Sequence, residues 1–187
     1  MKKILFLVFV AIIFAPNITH AHNEKGNDGK TVSIKLQQIF VTVQYYYGTK
    51  YVWGGTTKSG IDCSAFVQKC FISAGITNLP RTSAAQAKIG TRIPFDSLMP
   101  GDRVYFTFKP KKGKAIRHDG HTGIYKGDGV FIHASSSRGV AESNITSPFW
   151  RNCFTKALRS EELQRVKPIF FDQADTTVAK DTVIIHR

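Results

Sequence analysis

Cysteine is scarce. The 187 residues hold three: Cys63, Cys70 and Cys153. A disulfide-dense mini-domain is excluded by that count. An odd number also leaves at least one thiol free or paired between chains. Cys70 and Cys153 could be bridged, leaving Cys63 alone, or both could be buried thiols, and their positions do not choose. Acid is scarce too: 13 Asp and Glu against 26 Lys and Arg give a formal charge of +13. Such a balance favours anionic partners, whether nucleic acid, anionic lipid or an acidic polymer. A basic stripe interleaved with aromatics is missing, which argues against nucleic acid. No HExxH motif and no close Cys/His pair stand around Cys63, so a zinc site has little support. No internal repeat is found.

Long apolar runs are lacking except at the start. Lys2 and Lys3 precede an apolar stretch from Ile4 to Ala15, followed by Thr19-His20-Ala21. That order reads as an export signal at 1–21, cut after Ala21. The run is short of the roughly 20 residues that span a bilayer. No membrane span is expected after signal removal. Export makes an acidic cell-surface polymer the favoured partner, and the remaining chain, with a charge of about +11, has the size of one domain.

Residues 22–31 are polar with glycines and read as a flexible leader. Leu36, Ile39, Phe40, Val43 and Tyr47 fall at helical spacing, which predicts an amphipathic helix over 32–47, with strand as the alternative. Tyr51-Val-Trp-Gly-Gly is an extended piece entering a turn. Asp62 suits the N-cap of a helix over 63–74, with Gly75 just past its end. A shorter helix is expected over 82–89. The period then changes. Short β-rich runs at 103–108, 122–126, 130–134, 139–143 and 153–158 predict strands, and Gly127-Asp128-Gly129 signals a hairpin. Helices followed by an antiparallel sheet define an α+β domain. The tail after 160 shows no period.

Cys63 would sit in the first turn of its helix. The helix dipole and the unpaired N–H groups there favour a thiolate and could stabilise an oxyanion. The alternative is a small buried thiol. A nucleophile needs a base, and His121 and His133 lie on the two strands of the predicted hairpin. One imidazole could take the thiol proton while the other orients it. Taken singly, they read as a turn histidine and a core histidine. His118 lies in a loop.

The blocks YVWGG (51–55), GIDCSAFVQ (60–68), PGDRVYF (100–106), HTGIY (121–125) and FIHASSS (131–137), with LPRTS between them, resemble the NlpC/P60 family of cell-wall cysteine peptidases. Their order and spacing are similar to the murein endopeptidase branch of that family. The resemblance covers about residues 35–158 and implies a papain-like α+β fold, with a helix carrying the cysteine against an antiparallel sheet. It implies Cys63 as nucleophile, His121 as general base and His133 as the orienting third residue. It places the Tyr51 hydroxyl near the oxyanion and gives Asp62 and Ser64 a part in recognising the peptide stem. The implied substrate is peptidoglycan stem peptides, cut by a monomer without cofactor or metal. Ala65 stands where the family usually has glycine, and Thr122 where it usually has valine. The basic insertion KPKKGKAIRHDG before His121 is expected to form a rim facing the anionic wall. The rival readings are an amidase or transferase of the same thiol chemistry and a silent wall-binding domain.

Overall fold

The computed structural model describes residues 24–109 and 118–164. The expected export signal and the tail beyond Gln164 lie outside the described residues, as does most of the basic insertion. A long helix, α1 (Glu24–Tyr46), leads into a two-strand ribbon, β1 (Thr56–Thr57) and β2 (Gly60–Ile61). Then come α2 (Cys63–Ser73), the short α3 (Ser83–Gln86) and β3 (Thr91–Ile93). The remaining strands and α-helix are β4 (Arg103–Phe106), β5 (His121–Gly127), β6 (Val130–Ser135), β7 (Gly139–Asn144), α4 (Pro148–Cys153) and β8 (Phe154–Arg159), with 3-10 turns at Phe95–Ser97 and Glu161–Leu163. The six-stranded sheet runs β3-β8-β4-β5-β6-β7 with every pair antiparallel. This is the expected α+β arrangement.

The sequence dictates α2 at both ends. The Asp62 carboxylate accepts from the Ala65 N–H at 2.8 Å and caps the first turn. At the other end Gly75 takes φ +73°, the Gly75 N–H donates to the Ile72 carbonyl and the Ile76 N–H to the Phe71 carbonyl. That pair of bonds is a Schellman stop, and Ile76 is buried in the same core as Phe71. Between the caps Phe66, Val67, Cys70 and Phe71 are fully buried. They pack with Ile39 and Val43 of α1 and with Ile124, Ile132 and Ala134 of the sheet. A second apolar layer covers the other sheet face, where Val104, Phe106, Phe131 and Ala157 meet Trp150 of α4.

The β5–β6 hairpin is built as its glycines require. Gly127 pairs with Val130, so the turn is Asp128-Gly129, and both have positive φ, 50° and 74°. Two left-handed residues make the turn that matches strand twist.

Several expectations change. Helix α1 starts at Glu24, so the polar stretch read as a flexible leader is helical from there; its glycines gave no apolar period to detect. Tyr46, not Tyr47, faces the core, and Tyr47 is exposed. The helix expected over 82–89 is shorter: Thr82 is its N-cap instead of its first residue, and it stops after Gln86. Cys153 ends α4 rather than opening a strand, because Pro148 at the first helical position starts a turn that the β-rich composition conceals. All three cysteines are free: Cys70 packs on the helix side of the sheet and Cys153 on the α4 side.

Phe66 fills the centre of the α1–α2–sheet core. Phe66→Ala is expected to cost about 3–5 kcal/mol of unfolding free energy, read as a lower denaturant midpoint at unchanged slope.

Candidate active site

Asp62 is the hub of the α2 N-terminus. Beyond the Ala65 N–H, its carboxylate accepts from the Ser64 hydroxyl at 3.0 Å, the Gly54 N–H at 3.1 Å, and Arg81 through Nη1 at 3.0 Å and Nη2 at 2.6 Å. Arg81 also donates to the Ser64 hydroxyl at 2.9 Å. Burial by itself would raise the Asp62 pKa. The hydrogen bonds from Arg81, Ala65 and Ser64 outweigh it and hold the carboxyl below its ordinary value. Arg81 is held charged chiefly by Asp62, and it lies near enough to Cys63 and Tyr51 to feel both. Tyr51 makes a bridge to Ile61, which sets it beside the residue preceding Asp62. Gln86 adds a further tie by donating to the Ser64 carbonyl at 3.0 Å.

Cys63 opens α2 and is 5% exposed. Backbone N–H groups of Thr122, Ser64 and Cys63 itself bond toward its sulfur. The Thr122 contact fixes the thiol against the start of β5, next to His121. The sequence reading expected the helix end to lower the thiol pKa. Burial is the larger effect, and it pushes Cys63 up to about 11 against those N–H groups.

The two histidines meet as the hairpin predicts. In the β5–β6 register Ile124 faces Ile132, so His133 faces Gly123 and lies diagonal to His121 on one sheet face. His121 Nε2 and His133 Nδ1 are 2.8 Å apart. Gly123 permits this close approach, since a Cβ there would sit 2.6 Å from the Ile132 carbonyl oxygen and 3.1 Å from His133 Cβ. His133 Nε2 lies 3.0 Å from the Ser143 hydroxyl, which receives an Arg138 N–H at 2.6 Å. With His121 Nε2 occupied by His133, Nδ1 is the nitrogen left for a proton. Trp150 stacks on His121 with centroids 5.9 Å apart and meets His133 edge-on at 4.9 Å. Burial lowers His121 to about 4. His133 falls to about 3 by burial first, then by the neighbouring His121 and Arg138 charges. The resting site therefore pairs a neutral thiol with neutral imidazoles.

The structure thus brings together Cys63, His121, His133, Asp62, Ser64 and Tyr51. His118 is exposed on a turn before β5. Sequence reasoning missed Arg81, Ser143 and Trp150. Arg81 lay in the noted LPRTS block, but nothing local to it revealed a partner 19 positions upstream. No group of three or more His, Cys, Asp or Glu able to hold a metal occurs among the described residues.

Residues 48–159, more than half of the chain, match the model of the NlpC/P60 family. The chain is 41% identical over 137 residues to probable endopeptidase NlpC of Escherichia coli K12, covering 73% of this chain and 84% of that one. It is 39% identical over 139 residues to the murein DD-endopeptidase MepS/murein LD-carboxypeptidase of the same strain, covering 74% and 70%. A solved NlpC/P60 family protein from Bacillus cereus ATCC 10987 superposes with a TM-score of 0.58 at 30% identity, over 66% of this chain and 39% of that one. The chain belongs to the NlpC/P60 family and is a cysteine peptidase.

The depressed histidines link stability to acid. Between about 6.5 and about 4 the unfolded chain takes up protons that native His121 and His133 refuse. Stability is therefore expected to fall as pH drops through that window. His133→Gln is expected to flatten the fall, which denaturant titrations at stepped pH would measure.

Proposed function

We propose that the protein is an exported murein endopeptidase that cuts D,D cross-links between peptidoglycan stem peptides through a Cys63-His121-His133 triad. The observation carrying this reading is the His121–His133 contact at 2.8 Å, which leaves Nδ1 for a thiol pinned at the same strand end. The 39% identity to a murein DD-endopeptidase favours the D,D bond. The charge of +13 suits an anionic wall, and the apolar run at 4–15 suits export. Among the described residues no helix is long and apolar enough to cross a membrane.

Cys63 sulfur attacks the amide carbonyl as its proton passes to His121 Nδ1. The Cys63 N–H and the Tyr51 hydroxyl hold the oxyanion. His133 accepts from His121 Nε2–H and steadies the imidazolium, while Ser143 takes the His133 Nε2–H. The imidazolium then protonates the leaving amine, giving a thioester. Water, deprotonated by His121, hydrolyses the thioester and releases the acid and the thiol. Ser64 and Asp62, fixed by Arg81, form the polar patch that meets the acyl-side stem.

Two outcomes test this. Mature protein digesting purified peptidoglycan is expected to remove cross-linked dimers, with fragments identified by mass spectrometry, and Cys63→Ala to leave them. Identical profiles from both would overturn the peptidase reading. A neutral resting pair also predicts that Cys63 alkylation by iodoacetamide keeps accelerating above pH 9, because the thiolate fraction keeps rising until the pH passes about 11. A plateau in the acid range would indicate a preformed ion pair instead.

A further inference from the structure

Two phenylalanines on the rim of the histidine–Trp150 cluster are exposed. Phe149, in the first turn of α4, is 60% exposed, and Phe108, just past β4, is 38% exposed. Their rings are nearly parallel, 20° apart in plane with centroids at 6.0 Å. Phe108 stands 5.5 Å from the His121 ring, and both phenylalanines contact Trp150. An open aromatic shelf thus runs from the base out to solvent.

The shelf lies across the site from the polar patch. Cys63, Asp62, Ser64 and Arg81 belong to the α2 side of the sheet, whose core includes Cys63 and Phe66. His121, His133 and Trp150 pack with Phe106 and Phe131 on the α4 side. His121 is the first residue of β5, where the two sides meet. A substrate bonded at Cys63 on one side must leave past His121 on the other, because that imidazole delivers the proton to the departing amine.

Resting on the proposed endopeptidase reading, we infer that the Phe108–Phe149 shelf is the leaving-group subsite. It holds the aliphatic portion of the amine-side residue of the cross-link. Apolar methylenes against two exposed rings release water from both surfaces. The polar α2 patch fixes the acyl half, and the aromatic shelf fixes the amine half.

Phe149 meets the histidines through Phe108 and Trp150, so the ester and alkylation rates report whether its truncation disturbs them. The experiment compares native protein with Phe149→Ala and Phe149→Leu on two substrates sharing one acyl half. The first is a glycan-free cross-linked muropeptide dimer; the second is the acyl-side stem as a methyl ester. Loss of one aromatic contact is expected to lower kcat/KM for the dimer about tenfold, mainly through KM. The ester rate and the Cys63 alkylation rate are expected to stay unchanged, and Phe149→Leu to recover part of the dimer rate. Equal losses on dimer and ester would assign Phe149 a structural role and overturn the subsite. An unchanged dimer rate would overturn it too. A loss on intact sacculi, assayed as a third substrate, with the glycan-free dimer rate unchanged would assign the shelf to the sugar chain and overturn the amine-side assignment. If native protein cleaves neither substrate, the endopeptidase reading itself fails.

Discussion

The ion pair between Asp62 and Arg81 sets the geometry on which the site depends. One carboxylate caps α2, ties down the Gly54 loop, orients Ser64 and neutralises Arg81. Each partner is local or nearly so except Arg81, which comes from the loop after α2. A capping bond alone contributes about 1 kcal/mol. Held also by a bidentate guanidinium, the same carboxylate stays ionised despite burial. The helix start cannot fray, and Cys63 keeps one position relative to β5.

Burial is the opposing constraint. Enclosing the thiol and two imidazoles keeps all three neutral at rest and exact in placement, but it costs the charge separation that a preformed thiolate–imidazolium pair would supply. The fold offsets this with backbone N–H groups around the sulfur and a chain from His121 through His133 to Ser143. In the proposed mechanism proton transfer accompanies attack instead of preceding it.

Much of this was legible in the residues. The Asp62 cap, the Gly75 stop and the Gly127-Asp128-Gly129 turn each carry their own local signal, and each formed where expected. The histidine pair was legible because a hairpin converts sequence separation into register. The rest was not local. Arg81 acts through Asp62, a partner that only the tertiary fold brings near. Trp150 sits in a short helix opened by Pro148, inside a stretch whose composition favours strand. The thiol's raised pKa depends on how deeply the α1–α2 layer encloses it, which no motif encodes. The polar, glycine-bearing start of α1 shows the same limit, since a helix without an apolar face leaves no period.

The central claim is that Cys63 carries the acyl half of the substrate as a thioester. The most direct measurement is rapid acid quench of native protein mixed with a purified muropeptide dimer, followed by intact-mass and peptide mass spectrometry. The account predicts a transient adduct with the mass of the acyl-side stem, located on the Cys63 peptide. An adduct on any other residue, formed as the dimer is consumed, would contradict it.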